Sequence, residues 1–167
     1  MQHRTVDDCD QTATRTDADR RPLTWPLAAT DVAVDHCRLG PGEQLSPTPE
    51  GYVDREAVFL VTEGTLTFHT PVADGDSVTL PAGDAVRFAR GEFQLAVNDG
   101  DEEAELLAVG APRDGDELFV SRVCPACETE AVRVVQREDG RGFVCPDCGE
   151  DGDDPGSLEN GMGGISP

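Results

Sequence analysis

The 167-residue chain carries 34 acidic residues against 13 basic ones, all of them arginine, for a formal net charge of −21. That balance excludes the basic footprint of a nucleic-acid binder working at low salt, and no run approaches the roughly 18 apolar residues of a membrane-spanning helix. Evenly spread carboxylates without any lysine predict a cytoplasmic protein of a salt-adapted (halophilic) proteome, because at 1 M salt a Debye length of about 3 Å screens self-repulsion; an acidic protein from a low-salt, GC-rich source is the alternative.

Residues 1–22 are polar and rich in Asp, Thr and Arg, and read as a disordered N-terminal tail. The first seventeen residues lack the apolar run of a signal peptide, and Cys9 stands among them with nothing to activate its thiol. Trp25, flanked by Pro22 and Pro26, is expected to pack an edge of the folded unit. The first clear strand runs over 31–39, with His36 on one face and Cys37 on the other. Residues 40–56, with three prolines and three glycines, read as a loop.

From Glu56 to Asn98 short β-rich runs alternate with turns. AVFLV and TLTFH are joined at Glu63-Gly64, SVTL follows Asp74-Gly75, AVRF follows the turn at 81–84, and FQLAVN follows Arg90-Gly91. AELLAVGAP then closes the set. No stretch has a helical period. The fold class is therefore all-β, a small antiparallel sandwich or barrel over residues 23–119.

Composition changes from Cys124, within a unit expected over residues 120–150. Cys124, Cys127, Cys145 and Cys148 form two Cys-x2-Cys units with seventeen residues between them, on two β arms that meet at Asp139-Gly140. Four thiolates suit one tetrahedral zinc per chain and close it to substrate, so the metal is structural. Residues 120–150 hold too little core to fold without it. The same ligands would hold iron, and two disulfides are a further alternative, disfavoured in a reducing cytosol. Arg122, Arg133, Arg137 and Arg141 either form a solvated face paired with nearby carboxylates or dock a protein or RNA partner. Residues 151–167 read as a disordered C-terminal tail.

Two resemblances follow. Residues 124–149 resemble CPxCG-type zinc ribbons. The stretch from Glu50 to Asn98 resembles the cupins, whose two motifs end in Glu-x6-Gly and run Gly-x5-Pro-x-Gly-x2-His-x3-Asn. Gly83, Gly91 and Asn98 match the second motif in spacing, with Ala89 in the Pro slot and Gln94 in the slot of the metal-binding His. Gly64 ends the first motif, which puts Ala57 in the slot of the metal-binding Glu and Glu50 and Tyr52 in the slots of the His pair. The resemblance implies a double-stranded β-helix (jelly-roll) and a homodimer formed by barrel edges, while the usual ligands are replaced. A metal site rebuilt from His36, Cys37, Glu50 or Glu56 is an alternative.

The expected function is a non-catalytic module binding a small polar metabolite in a pocket of Glu50, Tyr52, Glu56 and Gln94, with a structural ribbon for docking. Two other classes stay open. One is a cupin-type isomerase, lyase or dioxygenase with an atypical site; the other is a nucleic-acid-associated regulator acting through the ribbon.

Overall fold

The computed structural model describes residues 1–11, 16–70, 76–115, 117–137 and 140–153. Among the described residues the chain is nearly all β, with one 3-10 turn at Val6–Asp8, and no helix is long and apolar enough to cross a membrane. The strands are β1 (Asp19–Pro22), β2 (Ala33–Leu39), β3 (Glu50–Tyr52), β4 (Glu56–Glu63), β5 (Thr65–His69), β6 (Ser77–Pro81) and β7 (Ala85–Phe88). They continue with β8 (Leu95–Val97), β9 (Ala104–Ala111), β10 (Leu118–Ser121), β11 (Ala131–Arg137), β12 (Gly140–Val144) and β13 (Asp151–Asp153). The runs expected within 56–98 thus form β4 to β8, though the Asp74-Gly75 turn lies outside the described residues.

Two antiparallel sheets make a jelly-roll barrel. One has the order β1-β2-β9-β4-β7 and the other β6-β5-β8. Alternation puts one side chain in two inward. Phe59 of β4 and Phe88 of β7 meet Phe68 of β5, with ring centroids 5.2 to 6.0 Å apart. Leu39, Val61, Leu66, Leu80 and Leu106 belong to the same apolar core. Gly64 takes φ +68° between β4 and β5, a left-handed turn that suits glycine. Asn98 is buried and holds the β8–β9 turn, donating Nδ2 to the Leu39 and Glu102 carbonyls at 2.8 Å and accepting from the Gly100 amide.

A third sheet has the order β13-β12-β11-β10-β3. β10 pairs with β11 on one side and with β3 on the other, in the register Leu118↔Tyr52, Phe119↔Gly51 and Val120↔Glu50. The stretch expected to be a plain loop, 40–56, instead runs along residues 94–98. Gly42, Leu45 and Glu50 donate their amides to the Asn98, Ala96 and Gln94 carbonyls.

Other expectations fail as well. Residues 19–22, assigned to the disordered tail, form β1 and pair with β2. Charge explains it: Arg20 bonds Asp35 and Arg21 bonds Asp19, so the strand needs no apolar pattern. Cys9, in the same assigned tail, is buried. Trp25 does not pack an edge; it is 71% exposed and stacks under the Arg113 guanidinium, 5.1 Å from its ring centroid. At the other end, Asp151–Asp153 pairs with β12, while residues 154–167 lie outside the described residues.

Candidate functional site

Two places gather the residues singled out in the sequence. The first is a cavity of about 50 Å³ inside the barrel, at the end closed by β3. Glu50, Tyr52, Ala57 and Gln94, the four positions matched to metal-ligand slots, all line it. Glu56 does not. It is exposed and pairs with Arg87 at 3.0 Å, because one step along a strand turns the side chain to the opposite face.

Four polar residues that sequence reasoning missed join them, Arg20 from β1, Asp35 from β2, Arg55 and Glu92, together with Cys37 of β2, already a candidate ligand. Arg20 donates Nε and Nη2 to Asp35 Oδ2 at 3.2 and 2.6 Å. Burial opposes the Arg20 charge, but the Asp35 carboxylate together with Tyr52 and Cys37 outweighs it and raises the Arg20 pKa. Burial pushes the Cys37 thiol up to about 12 despite Arg20 nearby. At neutral pH it is a small neutral group, not a nucleophile. Burial, then the charge of Glu50, raises the Tyr52 pKa, so its phenol stays protonated. The signal that could have found Arg20 was the DRRP run facing the acidic 31–39 strand.

Gln94 is 5% exposed, and its Oε1 is buried with no hydrogen-bond partner in the protein. Its backbone is fully engaged, exchanging both main-chain bonds with Glu50 at 2.9 and 3.0 Å. An orphaned buried amide oxygen costs about 1–3 kcal/mol unless something donates to it. The cavity is thus lined by the Gln94 amide, a neutral phenol and a half-buried guanidinium–carboxylate pair.

The histidines lie elsewhere. His36 is buried on the other face of β2, with Nε2 3.0 Å from Glu105, which also accepts from Arg38 Nε at 2.7 Å. His69 is half exposed, 3.8 Å from Asp99. A centre rebuilt from His36, Cys37, Glu50 and Glu56 is thus not assembled: only Cys37 and Glu50 face the cavity.

The second place is the four-cysteine cluster. Among the described residues it is the one group of His, Cys, Asp or Glu side chains gathered closely enough to hold an ion, with all four sulfurs within 4.8 Å of one another. Cys124–Cys148 and Cys127–Cys145 are 3.7 and 3.4 Å apart. A tetrahedron of sulfurs about 2.3 Å from zinc has edges of about 3.8 Å, whereas a disulfide closes to about 2.05 Å. The four thiols fit a tetrahedral soft metal.

Two matching knuckles build it. The Glu128 amide donates to the Cys124 carbonyl and the Gly149 amide to the Cys145 carbonyl, at 3.0 and 3.1 Å. Both turns need a left-handed residue, supplied by Glu128 at φ +64° and Gly149 at φ +74°. Thr129 Oγ1 donates to the Asp147 carboxylate and ties the knuckles together. The Cys148 and Asp147 amides aim at Cys145 sulfur and, against burial, lower its pKa to about 6. Of the ribbon arginines, Arg133 lies 3.5 Å from Glu117, Arg137 lies 3.1 Å from Asp151, and Arg122 stacks on Phe143.

Comparison with known proteins accords with this geometry. Residues 35–110 match the cupin domain family. No curated protein matches the chain. Among solved structures, a sugar phosphate isomerase of the cupin superfamily from Silicibacter pomeroyi is 21% identical, with 86% of this chain and 92% of that one covered and a TM-score of 0.66. The polyketide cyclase RemF from Streptomyces resistomycificus is 19% identical over 68% of this chain and 80% of its own, with a TM-score of 0.58. Oxalate oxidase in complex with glycolate is 17% identical over 70% and 61%, with a TM-score of 0.56. These likenesses show a cupin fold over the barrel.

Proposed function

We propose that the chain is a non-catalytic cupin-domain protein that binds a small polar metabolite in its barrel and carries one structural zinc in its C-terminal ribbon. One observation carries the reading: the four slot positions converge on a single cavity, yet they present a carboxylate, a phenol, a methyl group and an amide. That set has one anionic oxygen ligand and no imidazole, which suits hydrogen bonding to a neutral or mixed-charge molecule better than holding a transition metal. The unpaired Gln94 oxygen supports a ligand that donates to it.

The zinc reading rests on donor chemistry. Four thiols at tetrahedral spacing, fixed by two knuckles, leave no open position for substrate. A structural role follows, with the ribbon as a platform for a protein or RNA partner.

Native mass spectrometry of the protein purified in molar salt tests both halves. The expected result is one zinc per chain, lost from the Cys124→Ser/Cys145→Ser variant, and a small organic ligand lost from Gln94→Leu. A second metal that survives loss of the cysteines would overturn the non-catalytic reading and favour a cupin-type enzyme with an atypical centre.

A further inference from the structure

Glu50 and Tyr52 reach the cavity from β3, a strand of three residues, none of which belongs to the barrel's apolar core. Main-chain bonds hold it from two sides. On the barrel side Glu50 exchanges both bonds with Gln94, and the Tyr52 carbonyl accepts from the Gly91 amide at 2.7 Å. On the other side lies the β10 ladder, closed at its ends by the Val53 amide on the Glu117 carbonyl at 3.2 Å and the Ser121 amide on the Pro49 carbonyl at 2.9 Å.

β10 is anchored in the ribbon. Its buried Val120 packs with Cys124, Val132, Phe143 and Cys145 in a cluster separate from the barrel core. Two of those five residues are members of the four-thiol site. Without a metal to draw the thiols together, Val120, Val132, Phe143 and the partly buried Val134 remain, too few to hold a β-sheet in water.

We propose that the four-thiol metal centre is a positioning element of the barrel cavity: metal fixes β10, β10 fixes β3, and β3 holds Glu50 and Tyr52 against Gln94. The cavity then has its binding shape only in metal-loaded protein, so loss of metal releases the barrel ligand. The inference rests on the reading that the thiols hold zinc and that the cavity binds a ligand, but its test needs no ligand.

The experiment is amide hydrogen exchange on the full chain, as purified, after chelation, and after zinc is added back to the same sample. Metal is counted at each stage by native mass spectrometry. On chelation, exchange in 118–144 and in 49–55 is expected to accelerate together, at least about tenfold in 49–55. Strands β4 and β9 stay protected, and zinc restores the rest. Tyr52 is the chain's single tyrosine, so its ultraviolet ionisation gives a second readout, expected to fall toward the ordinary tyrosine range when metal leaves. Opening of 118–144 with 49–55 unchanged would overturn the coupling, as would simultaneous loss of protection in β4 and β9. A metal count of zero before chelation would instead sink the zinc reading, and the coupling with it.

Discussion

The barrel and the ribbon share a sheet but are stabilised by different physics. Among the described residues the barrel's apolar core gathers thirteen buried side chains around the Phe59–Phe68–Phe88 cluster, and burial of apolar area is its main stabilising force. The ribbon encloses five, two of them cysteines, and relies on a metal to do what apolar area does next door. Mutations should therefore separate the two regions cleanly, except at the β3–β10 seam.

The largest effect is expected from Cys124→Ser combined with Cys145→Ser. It removes a site of the kind worth about 10–16 kcal/mol, so metal content falls to zero and exchange protection in β11 and β12 is lost. The barrel's thermal transition should remain. Phe68→Ala sharpens the contrast from the other side. Truncating this fully buried ring should cost the barrel about 3–5 kcal/mol in denaturant unfolding, with metal content unchanged.

A smaller effect belongs to the outer face of the barrel. Burial works to raise the Glu105 pKa, but hydrogen bonds from Arg38 and His36 outweigh it and lower it. A carboxylate lowered on folding stabilises the protein above its ordinary pKa, and that stability is lost as pH falls through the folded value. Glu105→Gln should therefore flatten the acid limb of a stability–pH profile, by about 1 kcal/mol for a partly exposed pair.

The knuckles give a matched pair of small effects. Glu128→Gly should stabilise the loaded ribbon by about 1 kcal/mol, and Gly149→Ala should weaken it by a similar amount, since both turns are left-handed. Metal-competition titration reads both. Gln94→Leu should not destabilise the ligand-free barrel, because it deletes a buried oxygen that already lacks a partner. Its effect should appear instead as loss of the barrel ligand.

What could be read from the sequence follows from what announces itself in side chains. β4 to β7 were legible because apolar residues recur between turns, and Gly64, Gly83 and Gly91 do take positive φ there. The four cysteines were legible from spacing alone, and the slot alignment brought Glu50, Tyr52 and Gln94 to one cavity. β1 and β3 were not legible. One is held by ion pairs and the other by main-chain bonds on both edges, and neither leaves an apolar pattern. Arg20 was lost to the cavity for that reason. Glu56 was misplaced because being near a slot in sequence ignores the two-residue period of a strand.

β1 has one more consequence, for self-association. It is the outermost strand of its sheet, where unpaired amides and carbonyls can recruit a strand from another molecule. Its sequence, Asp-Arg-Arg-Pro, leaves no apolar side chain to seal such a contact, and Pro22 has no amide to offer. Both arginines are already engaged by Asp35 and Asp19. The strand acts as a stop at the end of the sheet, so two copies that meet edge to edge would use another edge, such as β6, β7 or β13.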